Sequence, residues 1–200
     1  MSRVATRVAA EDFGRQTLPR DREMEWAKQA AIVIAASLFV ALCARVTVPI
    51  PGTPVPLTLQ NFGVLTVGLL LGSRRGFAAL TLYLVEGALG LPVFSPSISL
   101  GVGVLRILGP TGGFLMAYPL VAFVAGYIYE HTSRRFAWAA LSAVVAELVL
   151  FAGGLSWLAV ITHSFSLALR YGLYWFAFAE IIKVLMAAAV AGRWYRQTSP

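Results

Sequence analysis

Six long apolar stretches divide the chain, and they constrain its fold more than any other feature. A helix needs about 20 mostly apolar residues to cross a bilayer. Only 12% of the 200 residues are charged, about half the share found in soluble domains. The sequence therefore predicts an all-α membrane protein with six transmembrane helices in a bundle, at residues 26–46, 57–71, 77–91, 113–129, 136–161 and 173–191. The second and third stretches are short for a full span.

Basic residues are distributed unevenly between these stretches. Twelve lie near the two chain ends and in the pairs Arg74–Arg75 and Arg134–Arg135, whereas only Arg45, Arg106 and Arg170 lie in the alternate loops. Cytoplasmic loops carry the excess of Lys and Arg, so both termini are predicted to be cytoplasmic. The expected division is a cytoplasmic tail at 1–25, a six-helix domain at 26–192 and a second tail at 193–200.

The three predicted outer loops are rich in proline and glycine. They cover residues 47–56, 92–103 and 109–113. Proline fixes φ and removes a backbone donor, so these stretches are predicted to be non-helical. Ordered non-helical backbone at the edge of a membrane usually lines a cavity. The loops are therefore expected to form a lid over a ligand cavity.

Four ionisable residues fall inside the apolar stretches, where each costs about 2.5–3.5 kcal/mol at a helix centre. Glu180 and Lys183 are three residues apart and share one helix face. They can form a mutually neutralising pair or a clamp for a ligand. Glu86 lies near a helix end, from which it can reach the lipid headgroups. Glu147 has no partner that can be identified from the sequence.

Other patterns narrow the function. Ala27, Ala31 and Ala35 recur every four residues, a spacing that lets another helix approach closely. The net charge of +7 is explained by topology, so no nucleic-acid partner is expected. The sequence contains no metal-ligand spacing, Walker A or other catalytic motif, so it predicts no metal, no cofactor and no ATP hydrolysis by this chain.

The loops and the helices beside them contain three signatures in order. Residues 51–60 read PGTPVPLTLQ and are followed by GLLLG at 68–72. Residues 90–94 read GLPVF, and residues 109–114 read GPTGGF. This series resembles the BioY family of biotin-specific substrate-binding (S) components of energy-coupling factor (ECF) transporters. The resemblance covers roughly residues 30 to 192.

The resemblance implies capture of biotin and its uptake across a bacterial or archaeal cytoplasmic membrane. The expected partners are biotin, membrane lipid, a transmembrane coupling subunit and cytoplasmic ATPase subunits. The family's Asp-x-x-Lys corresponds to Glu180 and Lys183 here, with the carboxylate one methylene longer. Glu180 is expected to accept from the ureido ring, while Lys183 and Arg106 are expected to bind the biotin carboxylate. Gln60 and the loop containing Ser97 are expected to form the lid. The face formed by Ala27, Ala31 and Ala35 is expected to dock on the coupling subunit.

Three alternatives stay open at this stage. The first is an S component for a different vitamin. The second is an intramembrane enzyme that uses Glu147 or Glu180 as acid or base, although the sequence contains no nucleophile–base pair to serve with them. The third is a structural membrane scaffold, which leaves the proline- and glycine-rich loops unexplained.

Overall fold

The computed structural model describes residues 19–96 and 101–198. Contacts within the chain divide it into two compact units, residues 1–32 and 33–200.

Helix α1, Pro19–Arg45, begins seven residues before the predicted start at 26. Its first turns contain Arg, Glu and Lys, which favour helix but lower the hydropathy on which the prediction depended. Lys28 and Glu25 form an ion pair of 2.7 Å on these turns. The predicted tail at 1–25 therefore includes helical residues.

The predicted second and third helices belong to one element, α2, Gln60–Ala88. At Gly72 the backbone leaves the helical region, with φ 82° and ψ 177°. The side chains of Gln60 and Tyr83 are 23 residues apart yet share a 2.8 Å hydrogen bond. A straight helix would separate them by about 34 Å. Element α2 is therefore a helical hairpin that folds back at Gly72.

Small residues bring this hairpin close to helix α4, Gly112–Glu130. A Cβ added to Gly68 would lie 2.5 Å from the Ala122 carbonyl oxygen. A Cβ added to Gly126 would lie 2.5 Å from the Ser73 nitrogen. Residues without side chains at both points allow the backbones to pack in direct contact, as is common between helices in membranes.

Two short elements interrupt the outer loops. Strands β1, Thr47–Val48, and β2, Leu57–Thr58, pair antiparallel. The predicted second helix therefore starts too early, because residue 57 belongs to a strand and α2 begins at Gln60. Helix α3, Val104–Leu108, lies between the second and third of the predicted loops. Its apolar residues are too few to show a helical period in the sequence.

The C-terminal part of the chain forms two helices that meet at a bend, where a single sixth helix was predicted. Helix α5, Phe136–Thr162, ends at His163, whose φ of 51° is left-handed. Helix α6, Phe165–Leu169, then leads through a π-helical turn, Arg170–Tyr174, into α7, Ala177–Thr198. The predicted start at 173 is wrong because residues 165–174 are also helical, at a 47° bend to α7. The tail predicted at 193–200 is helical as far as Thr198.

Within residues 19–96 and 101–198, four helices are long and apolar enough to cross a membrane. They are Arg22–Arg45, Gln60–Ala88, Gly112–Glu130 and Phe136–Thr162, and the bent pair α6–α7 makes a fifth when it is counted as one span. The mostly helical membrane fold is therefore confirmed. The count is lower than the six predicted because the hairpin α2 is a single helical element.

Candidate ligand-binding site

A buried ion pair lies on α7. The buried residues of this helix recur with helical spacing at Glu180, Lys183, Val184, Ala187, Ala188 and Ala191. The two charged residues therefore occupy the face that the helix turns toward the bundle. Lys183 Nζ lies 2.7 Å from Glu180 Oε1, and the two residues are only 6% and 8% exposed. A pair this deeply buried is costly to desolvate and depends on further hydrogen bonds.

Asn61, in the first turn of α2, supplies such a bond and joins a second carboxylate to the pair. Its Nδ2 donates to Glu180 Oε2 at 2.7 Å and to Glu147 Oε1 at 2.5 Å. Helices α2, α5 and α7 therefore meet in one buried polar cluster. The cluster also supplies the partner for Glu147 that the sequence could not identify. Asn61 Oδ1 and Glu147 Oε2 are buried without a hydrogen-bond partner.

Three of these cluster residues, Asn61, Glu180 and Lys183, line a small cavity of about 60 Å³. Binding sites for small molecules have mostly apolar walls with a few polar groups. This cavity follows that pattern. Much of its remaining wall is aromatic and aliphatic, from Val55, Phe94, Phe114, Leu115, Leu150, Phe151 and Phe176.

Arg106 places a second cation in the wall of the same cavity. It lies on the short helix α3 and is only 3% exposed. Its Nη2 donates to the Ser95 carbonyl at 2.5 Å and to the Ser95 hydroxyl at 2.7 Å. Burial lowers the pKa of Arg106, and the nearby Tyr83 acts in the opposite direction. An arginine guanidinium in a protein nevertheless keeps its positive charge at neutral pH.

Gln60 connects the cavity wall to the loop after α2. Its Nε2 donates to the hydroxyl of Tyr83, and that hydroxyl donates to the carbonyl of Val93 at 2.9 Å. Arg45 donates to the carbonyl of Pro92 in the same loop. Side chains from α1, α2 and α3 therefore fix residues 92–95 beside the cavity.

The cavity brings together Gln60, Arg106, Glu180 and Lys183 from the predicted site. Ser97 lies outside the described residues. Glu86 accepts a hydrogen bond from the hydroxyl of Ser37, a fully buried residue. The Glu86 carboxylate therefore has a partner within the protein and does not depend on contact with lipid headgroups.

The three residues predicted to dock on the coupling subunit are exposed: Ala27 and Ala31 in the unit of residues 1–32, and Ala35 in the unit of residues 33–200. Their docking role stays a prediction.

Sequence reasoning missed Asn61 and Thr111 as cavity residues. Asn61 is an amide at the start of an apolar helix, and an amide inside a membrane protein usually hydrogen-bonds across helices. That signal could have identified it. Thr111 lies between Pro110 and Gly112, and its hydroxyl oxygen is buried without a partner. Nothing in the sequence indicates that Thr111 lines the cavity.

Together these features define a class: a mostly helical membrane protein with a small cavity inside its bundle, lined by buried polar groups and apolar side chains. Residues 15–199 match the model of the BioY family. The chain belongs to the BioY family, as its resemblance to the loop signatures predicted.

Curated relatives and a solved structure agree with this assignment. The "Probable biotin transporter BioY" of Pyrococcus horikoshii is 38% identical over 170 residues, which cover 84% of this chain and 96% of the relative. The "Biotin transporter BioY" of Thermotoga maritima is 36% identical, covering 80% and 94%. A crystal structure of the S-component for biotin from an ECF-type ABC transporter matches with a TM-score of 0.77 at 23% identity, covering 88% of this chain and 94% of that one. At that identity the match shows the fold.

Proposed function

We propose that this chain captures biotin and carries it across the cytoplasmic membrane as the substrate-binding subunit of an ECF-type transporter. The BioY relatives are named as biotin transporters, and the matched crystal structure is an S-component for biotin. The chain is a transport subunit, not an enzyme. The observation that carries the proposal is the buried cluster of Asn61, Glu180 and Lys183 in the wall of an otherwise largely apolar cavity.

The chemistry of this cavity suits the parts of biotin. The ureido ring offers two N–H donors and one carbonyl acceptor. Asn61 Oδ1 is a buried acceptor without a partner, and the Glu180 carboxylate has lone pairs beyond those used by Lys183 and Asn61. We assign the ureido N–H groups to these two acceptors. The aromatic side chains of Phe94, Phe114 and Phe176 would enclose the apolar thiophane ring.

The carboxylate of biotin needs a cation in a site that largely excludes water. Lys183 and Arg106 both line the cavity, from α7 and from α3. We assign the carboxylate to Lys183, with Arg106 as the second cation. Gln60 and the loop that includes Ser97 would close the site from outside. Gln60 is supported in this role by its link through Tyr83 to Val93.

We further propose six crossings with both termini in the cytoplasm. The two arms of α2, residues 60–71 and 73–88, would each cross once and would turn at Gly72. Arg74 and Arg75 follow that turn directly, and Arg134 and Arg135 lie between α4 and α5. This arrangement places four of the arginines at turns on one side, as the positive-inside rule requires. The cavity and its loops would then face outward.

The energy for uptake would come from partner subunits. We propose that a coupling subunit in the membrane docks against the small-residue face of α1, and that cytoplasmic ATPase subunits drive the complex. The exposure of Ala27, Ala31 and Ala35 supports this face, because small residues let a partner helix approach closely.

Ligand identity can be tested on the purified full chain. Isothermal titration with biotin, thiamin and riboflavin should give binding by biotin alone. Mass spectrometry of small molecules that co-purify from cells should find unchanged biotin. Tight binding of another vitamin with no response to biotin would contradict biotin as the ligand, while the family assignment would remain.

A further inference from the structure

A second cleft lies away from the biotin site, where α2 folds back. Its volume is about 820 Å³. It is lined by Arg74 and Arg75 after the hairpin turn, by Glu130 at the end of α4, and by Arg134 in the loop that follows. None of these residues contacts the biotin cavity in the proposed function, so the cleft is a separate feature of the fold.

The cleft carries an excess of positive charge. Arg74 and Arg75 are exposed. Glu130 is the one carboxylate in the lining, and it accepts a 2.7 Å hydrogen bond from the Ser73 hydroxyl. Within the described parts of the chain, the ion pairs are Lys28–Glu25 and Lys183–Glu180, so the arginines of the cleft have no carboxylate within salt-bridge distance. Three guanidinium groups therefore face one carboxylate that is already hydrogen-bonded.

Arg134 is held in place by groups around it. Its φ of 52° is left-handed, a conformation that residues with a side chain rarely adopt. The buried Tyr129 hydroxyl donates to its carbonyl at 2.7 Å. Its guanidinium carbon lies 4.6 Å from the centre of the Tyr195 ring. The strain and the ring contact together position this cation at the cleft.

An aromatic row leads from the cleft along α4. The rings of Phe123 and Tyr127 stack at 5.8 Å, and the ring of His131 lies 4.4 Å from that of Tyr127. Phe77, on the second arm of α2, packs edge-on against Phe123 at 6.3 Å. Phe77, Phe123 and Tyr127 are 41%, 37% and 50% exposed, so this row presents an apolar surface continuous with the charged cleft.

We propose that this cleft binds the headgroup of an anionic phospholipid, with an acyl chain along the aromatic row. The phosphate would lie among Arg74, Arg75 and Arg134, and the chain would lie against Phe123 and Tyr127. Basic pockets between transmembrane helices are known to bind such headgroups. A soluble anion would use the arginines but would leave the aromatic row uncovered, so the structure favours a lipid.

The test compares two variants of the full chain that each lose three arginines. The first carries R74Q, R75Q and R134Q. The matched control carries R135Q, R193Q and R196Q, which removes the same charge from residues that do not line the cleft. Native mass spectrometry would count bound dioleoylphosphatidylglycerol against dioleoylphosphatidylcholine. Biotin affinity, measured in parallel, would show that both variants are folded.

The wild type and the control should prefer phosphatidylglycerol, and the cleft variant should lose that preference by more than tenfold, since each basic residue near a headgroup contributes about fivefold. If both variants lost the preference for phosphatidylglycerol equally, the preference would arise from the overall positive charge of the surface, and the proposed site would be wrong. Equally strong binding of glycerol 3-phosphate would mean a soluble anion site. Unchanged lipid preference with loss of co-purifying ATPase subunits would mean a protein interface instead.

Discussion

Asn61 and Glu147 are 86 residues apart in the sequence, and the amide of one lies 2.5 Å from the carboxylate of the other. The same amide donates to Glu180. One neutral side chain therefore holds two buried carboxylates, and only Lys183 supplies a formal positive charge within that cluster. The cluster is the point at which stability and the proposed ligand binding depend on the same atoms.

Replacing Asn61 with Ala should therefore destabilise the chain. The change removes the donor from two buried carboxylates, and each unpaired buried polar group costs about 1–3 kcal/mol. We expect the thermal unfolding midpoint in detergent to fall by several degrees, with a large loss of biotin affinity. T66V is the control, because the Thr66 hydroxyl is buried without a partner on the same helix. If N61A unfolded at the same temperature as T66V, the cluster would not contribute to stability.

Lys183 can be tested as a ligand group or as a neutralising partner. K183M should weaken biotin binding more than 100-fold, because the ligand carboxylate loses its partner in a site that largely excludes water. It should also lower the unfolding midpoint, because breaking a buried ion pair costs about 3–5 kcal/mol. The double variant E180Q/K183M removes both charges and should recover much of the thermal stability. Biotin titration and thermal unfolding would be measured on both.

A double variant that is stable but still fails to bind biotin supports Lys183 and Glu180 as ligand groups. Recovery of full affinity in the double variant would show that the pair only neutralises itself.

The loop beside the cavity should loosen when its link to α2 is cut. Y83F removes the hydroxyl that joins Gln60 to the Val93 carbonyl. Two hydrogen bonds are lost, and each contributes about 0.5–1.5 kcal/mol. We expect biotin to dissociate several-fold faster, with little change in the unfolding temperature. Y129F is the matched control. Tyr129 also donates a hydrogen bond to a backbone carbonyl, but its acceptor is Arg134, away from the biotin cavity. Equal dissociation rates for Y83F and Y129F would remove Tyr83 from the lid.

The turn at Gly72 should not tolerate a side chain. G72A must adopt a positive φ of 82° with an extended ψ of 177°, a region that only glycine normally occupies and that costs about 1–3 kcal/mol. Its Cβ would lie 1.8 Å from Glu130 Oε1. Glu130 can move away only by giving up its bond to Ser73, a further loss of about 1 kcal/mol. G90A isolates the first effect, because Gly90 has a φ of 89° and open space around it. Unfolding curves that coincide for G72A and G90A would contradict the clash.

A bulky residue on the small-residue face should separate binding from assembly. A31W should keep wild-type biotin affinity and should lose co-purification with the coupling subunit, because a large ring holds a partner helix away. A30W, at an exposed neighbouring position of α1, is the control. An A31W complex that purified and transported biotin normally would rule out this face.

The sequence predicted what depends on local spacing. Glu180 and Lys183 could be paired because residues three apart share a helix face, and their cost in lipid indicated a site. The contact of Asn61 with Glu147 could not be predicted, because it depends on which faces of α2 and α5 meet. A break between the second and third helices was predicted at residues 72–76, and the backbone leaves the helical region at Gly72. The tightness of this turn could not be predicted, because hydropathy reports apolar length and carries no information on φ. The bend before α7 was missed likewise, because the residues on both sides of it are apolar.

The fold-back at Gly72 also determines how the chain can enter a bilayer. At 1.5 Å per residue its arms are about 18 and 24 Å long, and both are shorter than the hydrocarbon core of about 30 Å. In the proposed topology neither arm is long enough to span the core alone, so the two arms would partition into lipid together, as one hairpin. Membrane integration of this region would then be a concerted, two-helix event, with the arginines at its tip left in the cytoplasm.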